Sequence, residues 1–197
     1  VDQVAATISA GEPLKVVAVG LLDSVSLKSV NRLANLGYMK VVDHISVADR
    51  RRTEEQIDAI LKILPDVIII AGGTNKGATQ SILKIVNALV MAIAMMPHGH
   101  KPEILFSGNE ALSKHITEFF APFSQIHQTP NLRPTLDHEQ LGPAQMKLNE
   151  ISRKKLAAKV LGVQELDEWT GSHMIPAAQA IGRVAKFLST KYVSVLA

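Results

Sequence analysis

The residues with most to offer chemistry lie in three short runs. Gly72-Gly73-Thr74-Asn75 joins two glycines, which let backbone come close to a ligand, to two side chains that hydrogen-bond. Asp23-Ser24 sets a carboxylate beside a hydroxyl, and Ser107-Gly108-Asn109 repeats the small and polar theme. Free amides and partial positive charge at a helix start attract anions. The first run therefore reads as an anion or polar small-molecule site, with Thr74 capping a helix or touching a phosphate and Lys76 assisting. It matches neither the dinucleotide fingerprint G-x-G-x-x-G nor the phosphate loop. The plainer reading is a tight turn that needs positive φ, and for Asn109 a helix N-cap.

Other chemistries find little support. Cysteine is absent, which removes disulfides, thiolate metal ligands and a thiol nucleophile. Of the 7 histidines, His98 and His100 sit two apart in a Pro-Gly loop with only Glu103 nearby. His44 and His115 stand alone in a strand and a helix, and none of the rest shows ligand spacing. There is no G-x-S-x-G elbow. No catalytic residue and no metal site is assigned.

Three candidate runs can act together only if the fold brings them to one edge. Lys15–Gly20, Met39–Val47, Asp66–Ala71 and Glu103–Ser107 read as strands, and Phe123–His127 as a shorter fifth. The run DVIIIA lacks polar alternation, as in a central parallel strand covered on both faces. Helices fall between them: from Ser24 or Ser26 to Leu36, from a Thr53/Gln56 capping box to Leu64, from the glycine turn to Met96, and after Asn109. Strands alternating with helices imply parallel pairing through right-handed crossovers. The expected fold is α/β, a Rossmann-like three-layer αβα sandwich with a mostly parallel sheet in the order 2-1-3-4-5. Strands one, three and four are then neighbours, and their carboxyl ends carry the three runs.

Residues 1–13 read as a tail or linker and 14–130 as the core. Residues 131–197 form a helical C-terminal extension packing on the core. In it, a helix runs from about Asp137 to Leu161 with Pro143 in its first turn, and Trp169 sits in a connection. A further helix spans Pro176–Leu188 with Ile181, Val184 and Leu188 on one side, and Tyr192–Ala197 is a truncated strand.

The net charge of +3 and 4% aromatic content argue against a nucleic-acid groove, which needs basic surface interleaved with stacking rings. The clusters Arg50–Arg52 and Arg153–Lys155 read as solvated surface. The most apolar stretch, Ile82–Met96, is broken by Lys84 and Asn87 and falls short of the about 20 residues a membrane span needs. No secretory signal is visible, so the chain is expected in the cytoplasm. It opens on Val1, which suggests a piece of a longer protein.

Four segments, PDVIIIAGGTNKG at 65–77, ILFSGN at 104–109, NLRPTL at 131–136 and MIPAAQAIGRVAKFL at 174–188, resemble in order and spacing the glutamate mutase accessory protein MutL family. The resemblance extends over residues 15–190. It implies kinship with actin-like and Hsp70-like ATPases and a role in reactivating adenosylcobalamin-dependent mutases. The family's phosphate motifs, of Asp-Ile-Gly-Ser and Asp-Ile-Gly-Gly-Ala-Thr-Thr-Asp type, do not occur here. Asn75-Lys76-Gly77 stands where the family commonly has Asp-Gly-Gly. The resemblance therefore implies a non-catalytic central domain serving interdomain or partner contact, with no cofactor of its own. ATP and Mg²⁺ would belong to a flanking ATPase domain of the parent chain. A mutase is an implied partner and a homo-oligomer an option, with no role for nucleic acid or membrane. The alternative is a free-standing Rossmann-like domain binding a small anion or nucleotide.

Overall fold

The computed structural model describes residues 4–9, 11–75, 77 and 79–192. Five strands form one wholly parallel sheet: β2 (Leu14–Val19), β3 (Met39–Ile45), β4 (Val67–Ile70), β5 (Glu103–Phe106) and β6 (Ile126–Gln128). Their spatial order is β3-β2-β4-β5-β6, which is the expected 2-1-3-4-5. Direction reverses once, at β2. With right-handed crossovers, that reversal puts α1 (Lys28–Asn35) on one face of the sheet. The helices α2 (Thr53–Ile63), α3 (Gln80–Met95) and α4 (Ser113–Phe120) lie on the other.

Side chains divide between the faces with the strand period of two. Val17, Val19, Ile68 and Ile70 pack with Ile60 of α2, Leu89 and Ile93 of α3, and Phe120 of α4. Val16, Ala18, Val67 and Ile69 pack with Val30 and Leu33 of α1. The same cluster continues past residue 130 to Leu132 and to Leu148 and Ile151 of α5 (Gly142–Lys159), which covers the α1 face. All of Val67–Ile70 is fully buried, as an unbroken apolar run requires.

Smaller elements close the amino-terminal side. In the stretch before residue 14, β1 (Thr7–Ile8) pairs in parallel with β7 (Ile175–Pro176). Ile8 packs there with Leu156, Met174 and Val163 of α6 (Val163–Trp169). The last helix, α7 (Ala177–Ser189), follows β7 directly.

Four local expectations shift, each for a visible reason. The start of α2 is fastened by Glu55, which accepts from the Arg52 amide at 2.7 Å; Thr53 is already helical, so the Thr53/Gln56 box is one residue out of frame. The fifth strand starts at Ile126, because the Phe123 and Ser124 amides still donate to the Phe120 carbonyl and finish α4. The helix expected from Asp137 starts at Gly142, since the Gln140 amide donates to the Leu132 carbonyl and holds residues 137–141 in a loop. Trp169 is the last residue of α6 rather than part of a connection. The strand expected over Tyr192–Ala197 falls, beyond Tyr192, outside the described residues.

Candidate functional site

The carboxyl ends of β2, β4 and β5 are adjacent, and two of the three candidate runs meet there. Gly72 and Gly73 leave β4 at φ 140° and 72°, values that favour glycine. A Cβ on Gly72 would stand 2.9 Å from the Leu21 amide nitrogen, and one on Gly108 3.0 Å from the Gly72 carbonyl oxygen. The Asn109 amide donates to that same carbonyl at 3.3 Å. Glycine is thus used for close backbone packing between neighbouring strand ends.

Asn109 caps the short 3₁₀ turn Glu110–Leu112, its Oδ1 accepting from the Ala111 amide at 3.0 Å, while its Nδ2 donates to Gly77 at 3.4 Å. Ser107 is buried, and its hydroxyl shares a 2.6 Å hydrogen bond with Thr129. Thr74 lies short of α3: the Gly77 amide donates to the Thr74 carbonyl at 2.8 Å and closes a separate turn before the helix begins at Gln80. Lys76 lies outside the described residues.

Asp23 and Ser24 do not join this group. They are exposed in a π-helical turn, Asp23–Leu27, that leads into α1. That turn is anchored by Ser26, whose Oγ accepts from the Leu22 amide at 2.9 Å. Asp23 instead lines a cleft of about 420 Å³ with Asn31, His44, Ser46 and Asp49. Arg51 bonds both Asp43 and Asp49 at 2.8 Å beside it. Burial pushes the Asp49 carboxyl up, but the Arg51 hydrogen bonds outweigh it and hold the pKa below its ordinary value.

A residue given no role from sequence organises the edge. Asn131 is buried, and its Nδ2 donates to the Gly73 carbonyl at 2.9 Å and to Asn75 Oδ1 at 2.7 Å. The Asn75 amide donates to the Pro134 carbonyl at 3.2 Å, and the Leu132 amide to Ser107 at 2.9 Å. Residues 129–134 therefore cross over the glycine turn and use its polar groups internally. The loop is tied to α1 by Glu139, which accepts from Ser29, Arg32 and Arg133 at 2.5, 2.9 and 3.2 Å. Burial raises the Glu139 pKa, yet the Ser29 hydroxyl and the two guanidinium groups bring it below its usual value. The only signal for Asn131 in the sequence is its place two residues before Arg133, whose amide its Oδ1 accepts at 3.0 Å.

Apart from His98 and His100, the histidines lie on separate segments of the chain. His98–His100 form one exposed 3₁₀ turn. His127 is buried against Glu103, 2.6 Å away. Among the described residues no group of three His, Asp or Glu side chains is placed to hold a metal ion. The Asn75 amide is spent on the Pro134 carbonyl, and the Gly73 carbonyl and Asn75 Oδ1 accept from Asn131, so these groups of the glycine turn are satisfied within the fold. The basic clusters are drawn into ion pairs: Arg51 as above, Arg153 to Asp167 at 3.7 Å and Lys154 to Glu150 at 3.0 Å.

A second surface stands out on α7. Ile181, Val184 and Leu188 recur at helical spacing on one side, with Phe187 beside them. Not one residue of α7 is buried: Ile181 is 69% exposed, Val184 57% and Phe187 61%. Contiguous apolar surface of this kind marks interaction sites. Among the described residues no helix is long and apolar enough to cross a membrane.

Comparison with known proteins gives two findings. A family model described as "MutL protein" matches residues 1–196. The curated "Protein MutL" of Clostridium tetanomorphum is 25% identical over 182 residues, covering 92% of this chain and 37% of the relative. The chain thus spans little more than a third of that relative's length.

Proposed function

The chain belongs to the MutL family, and from that premise we propose that it is a contact segment, without catalysis of its own, of an ATP-driven accessory protein that reactivates an adenosylcobalamin-dependent mutase in the cytoplasm. ATP and Mg²⁺ are held by a flanking ATPase domain in this reading, because the phosphate motifs that position the transferred group are missing from these residues. The observation that carries the contact role is α7. An amphipathic helix whose apolar side is left largely exposed by its own fold gains stability when another surface covers it. The alternative, a free-standing domain for a small anion at Gly72–Asn75 and Ser107–Asn109, has less behind it. Three of the donors such an anion would use already have partners: the Asn75 amide in Pro134, the Ser107 hydroxyl in Thr129 and the Asn109 side-chain amide in Gly77.

Two measurements test the two halves. Mg²⁺-dependent ATP turnover by this chain is expected to equal a protein-free blank, and steady turnover above it refutes the non-catalytic half. Ile181→Asp with Val184→Asp, placed in a full-length family protein, is expected to lower ATP-dependent mutase reactivation about tenfold while leaving the unfolding midpoint of this chain in place. Undiminished reactivation refutes the contact half.

A further inference from the structure

The surface that α7 offers has a counterpart on the same chain. Every charged side chain from Ala177 to Tyr192 is basic: Arg183, Lys186 and Lys191, all exposed around Ile181, Val184 and Phe187. Every charged side chain of α6 is acidic: Glu165, Asp167 and Glu168. Asp167 is engaged by Arg153 at 3.7 Å, which leaves Glu165 and Glu168 facing solvent. Apolar surface is exposed beside these acids too: Leu161 projects freely, and Trp169 is 71% exposed. Between α5 and α6 lies a depression of about 500 Å³ whose wall includes Ala157, Val160 and Leu161, with Glu165 and Glu168 at its border. Lys159 also lines it, but its ammonium is bound to Asp66 at 2.5 Å.

We propose that a second copy of this chain covers α7: the Ile181–Val184–Phe187 side of one copy seats on the Leu161–Trp169 surface of the other, with Arg183 and Lys186 against Glu165 and Glu168. This rests on the reading of α7 as a contact face and names its occupant. Apolar meets apolar, an aromatic ring finds a recess of side-chain size, and opposite charges frame the contact. Such charges fix register and suppress wrong partners more than they add affinity. A two-fold pairing makes the contact twice and closes, so the assembly is a dimer rather than a filament.

Charge reversal tests it with the chain as it stands. Sedimentation of the 197-residue chain at high micromolar concentration is expected to show a dimer that weakens as salt is raised. Arg183→Glu with Lys186→Glu should yield a monomer, and so should Glu165→Lys with Glu168→Lys. Mixing the two variants should restore a dimer, because each then meets opposite charge at both contacts. All four sites are exposed, and circular dichroism and the unfolding midpoint confirm that each variant is folded. A wild-type monomer, a dimer indifferent to both reversals, or monomeric variants that do not recombine would overturn the proposal. So would binding of a monomeric wild type to phosphatidylserine vesicles, which assigns α7 to a lipid surface. If the dimer fails while Ile181→Asp with Val184→Asp still impairs mutase reactivation, the contact face stands and only its occupant is wrong.

Discussion

At the scale of single residues, the carboxyl edge is held by a few polar groups in positions that tolerate little change. Asn131→Ala removes the buried donor shared by Gly73 and Asn75. Stability is expected to fall by about 1–3 kcal/mol, seen as a lower urea midpoint at unchanged slope. Gly72→Ala meets the Leu21 backbone and a left-handed φ together, so roughly 1–3 kcal/mol of strain is expected. Gly142→Ala, with nothing within 4 Å, should be nearly silent in the same assay. Glu139 and Asp49 both have folded pKa values held below the ordinary carboxylate range. A depressed carboxylate pKa gives stability that is present above the unfolded value of about 4 and is lost as pH falls through the folded one. Urea midpoints should therefore hold near neutrality and drop below about pH 4, with a shallower drop in Glu139→Gln. The roles of Gly72 and Asn109 were legible, since a glycine pair after an apolar strand and an Asn before a helical turn have local causes. Asn131 was not, because its partners Gly73 and Asn75 lie 58 and 56 positions away and nothing in its neighbourhood points to them.

At the scale of elements, β4 and α7 make opposite use of apolar sequence. Val67–Ile70 is buried on both faces, so Ile69→Ala should cost about 2–5 kcal/mol, measured by denaturant unfolding. In α7, Gly182 has no neighbour within 4 Å, and a glycine inside a helix is about 1 kcal/mol worse than alanine. Gly182→Ala should thus raise the helicity of α7 and slow its amide exchange without moving the sheet. A loss of stability would mean that α7 is packed in a way its exposed side chains do not indicate. The helical period of Ile181, Val184 and Leu188 is visible in the sequence, but the period says only which residues share a side. Whether that side meets its own fold or another surface depends on where β7 releases the chain, and no local pattern encodes that. A related limit holds for α5, where the start of the helix is set by a bond from the Gln140 amide back to the Leu132 carbonyl, closing a loop that has no periodic pattern.

At the scale of the whole molecule, the fold follows from rules with few solutions. Five short apolar strands separated by helical segments leave parallel pairing as the economical arrangement, and right-handed crossovers fix which helices share a face. That is why parallel pairing and the three-layer arrangement were readable from sequence. The β1–β7 pair was not, because two-residue strands 168 positions apart carry no period to detect. What the fold leaves open is α7, an apolar face on a folded body belonging to the MutL family and spanning 37% of a relative's length. The account stands on the claim that this face is covered in the working protein. Hydrogen exchange of the α7 amides, Ala177–Ser189, measured in this chain at low concentration and again in a full-length family protein containing it, tests that claim most directly. The account predicts about tenfold or greater slowing of exchange on α7 in the longer protein, with β4 amides equally protected in both. Equal exchange on α7 in the two proteins would contradict it.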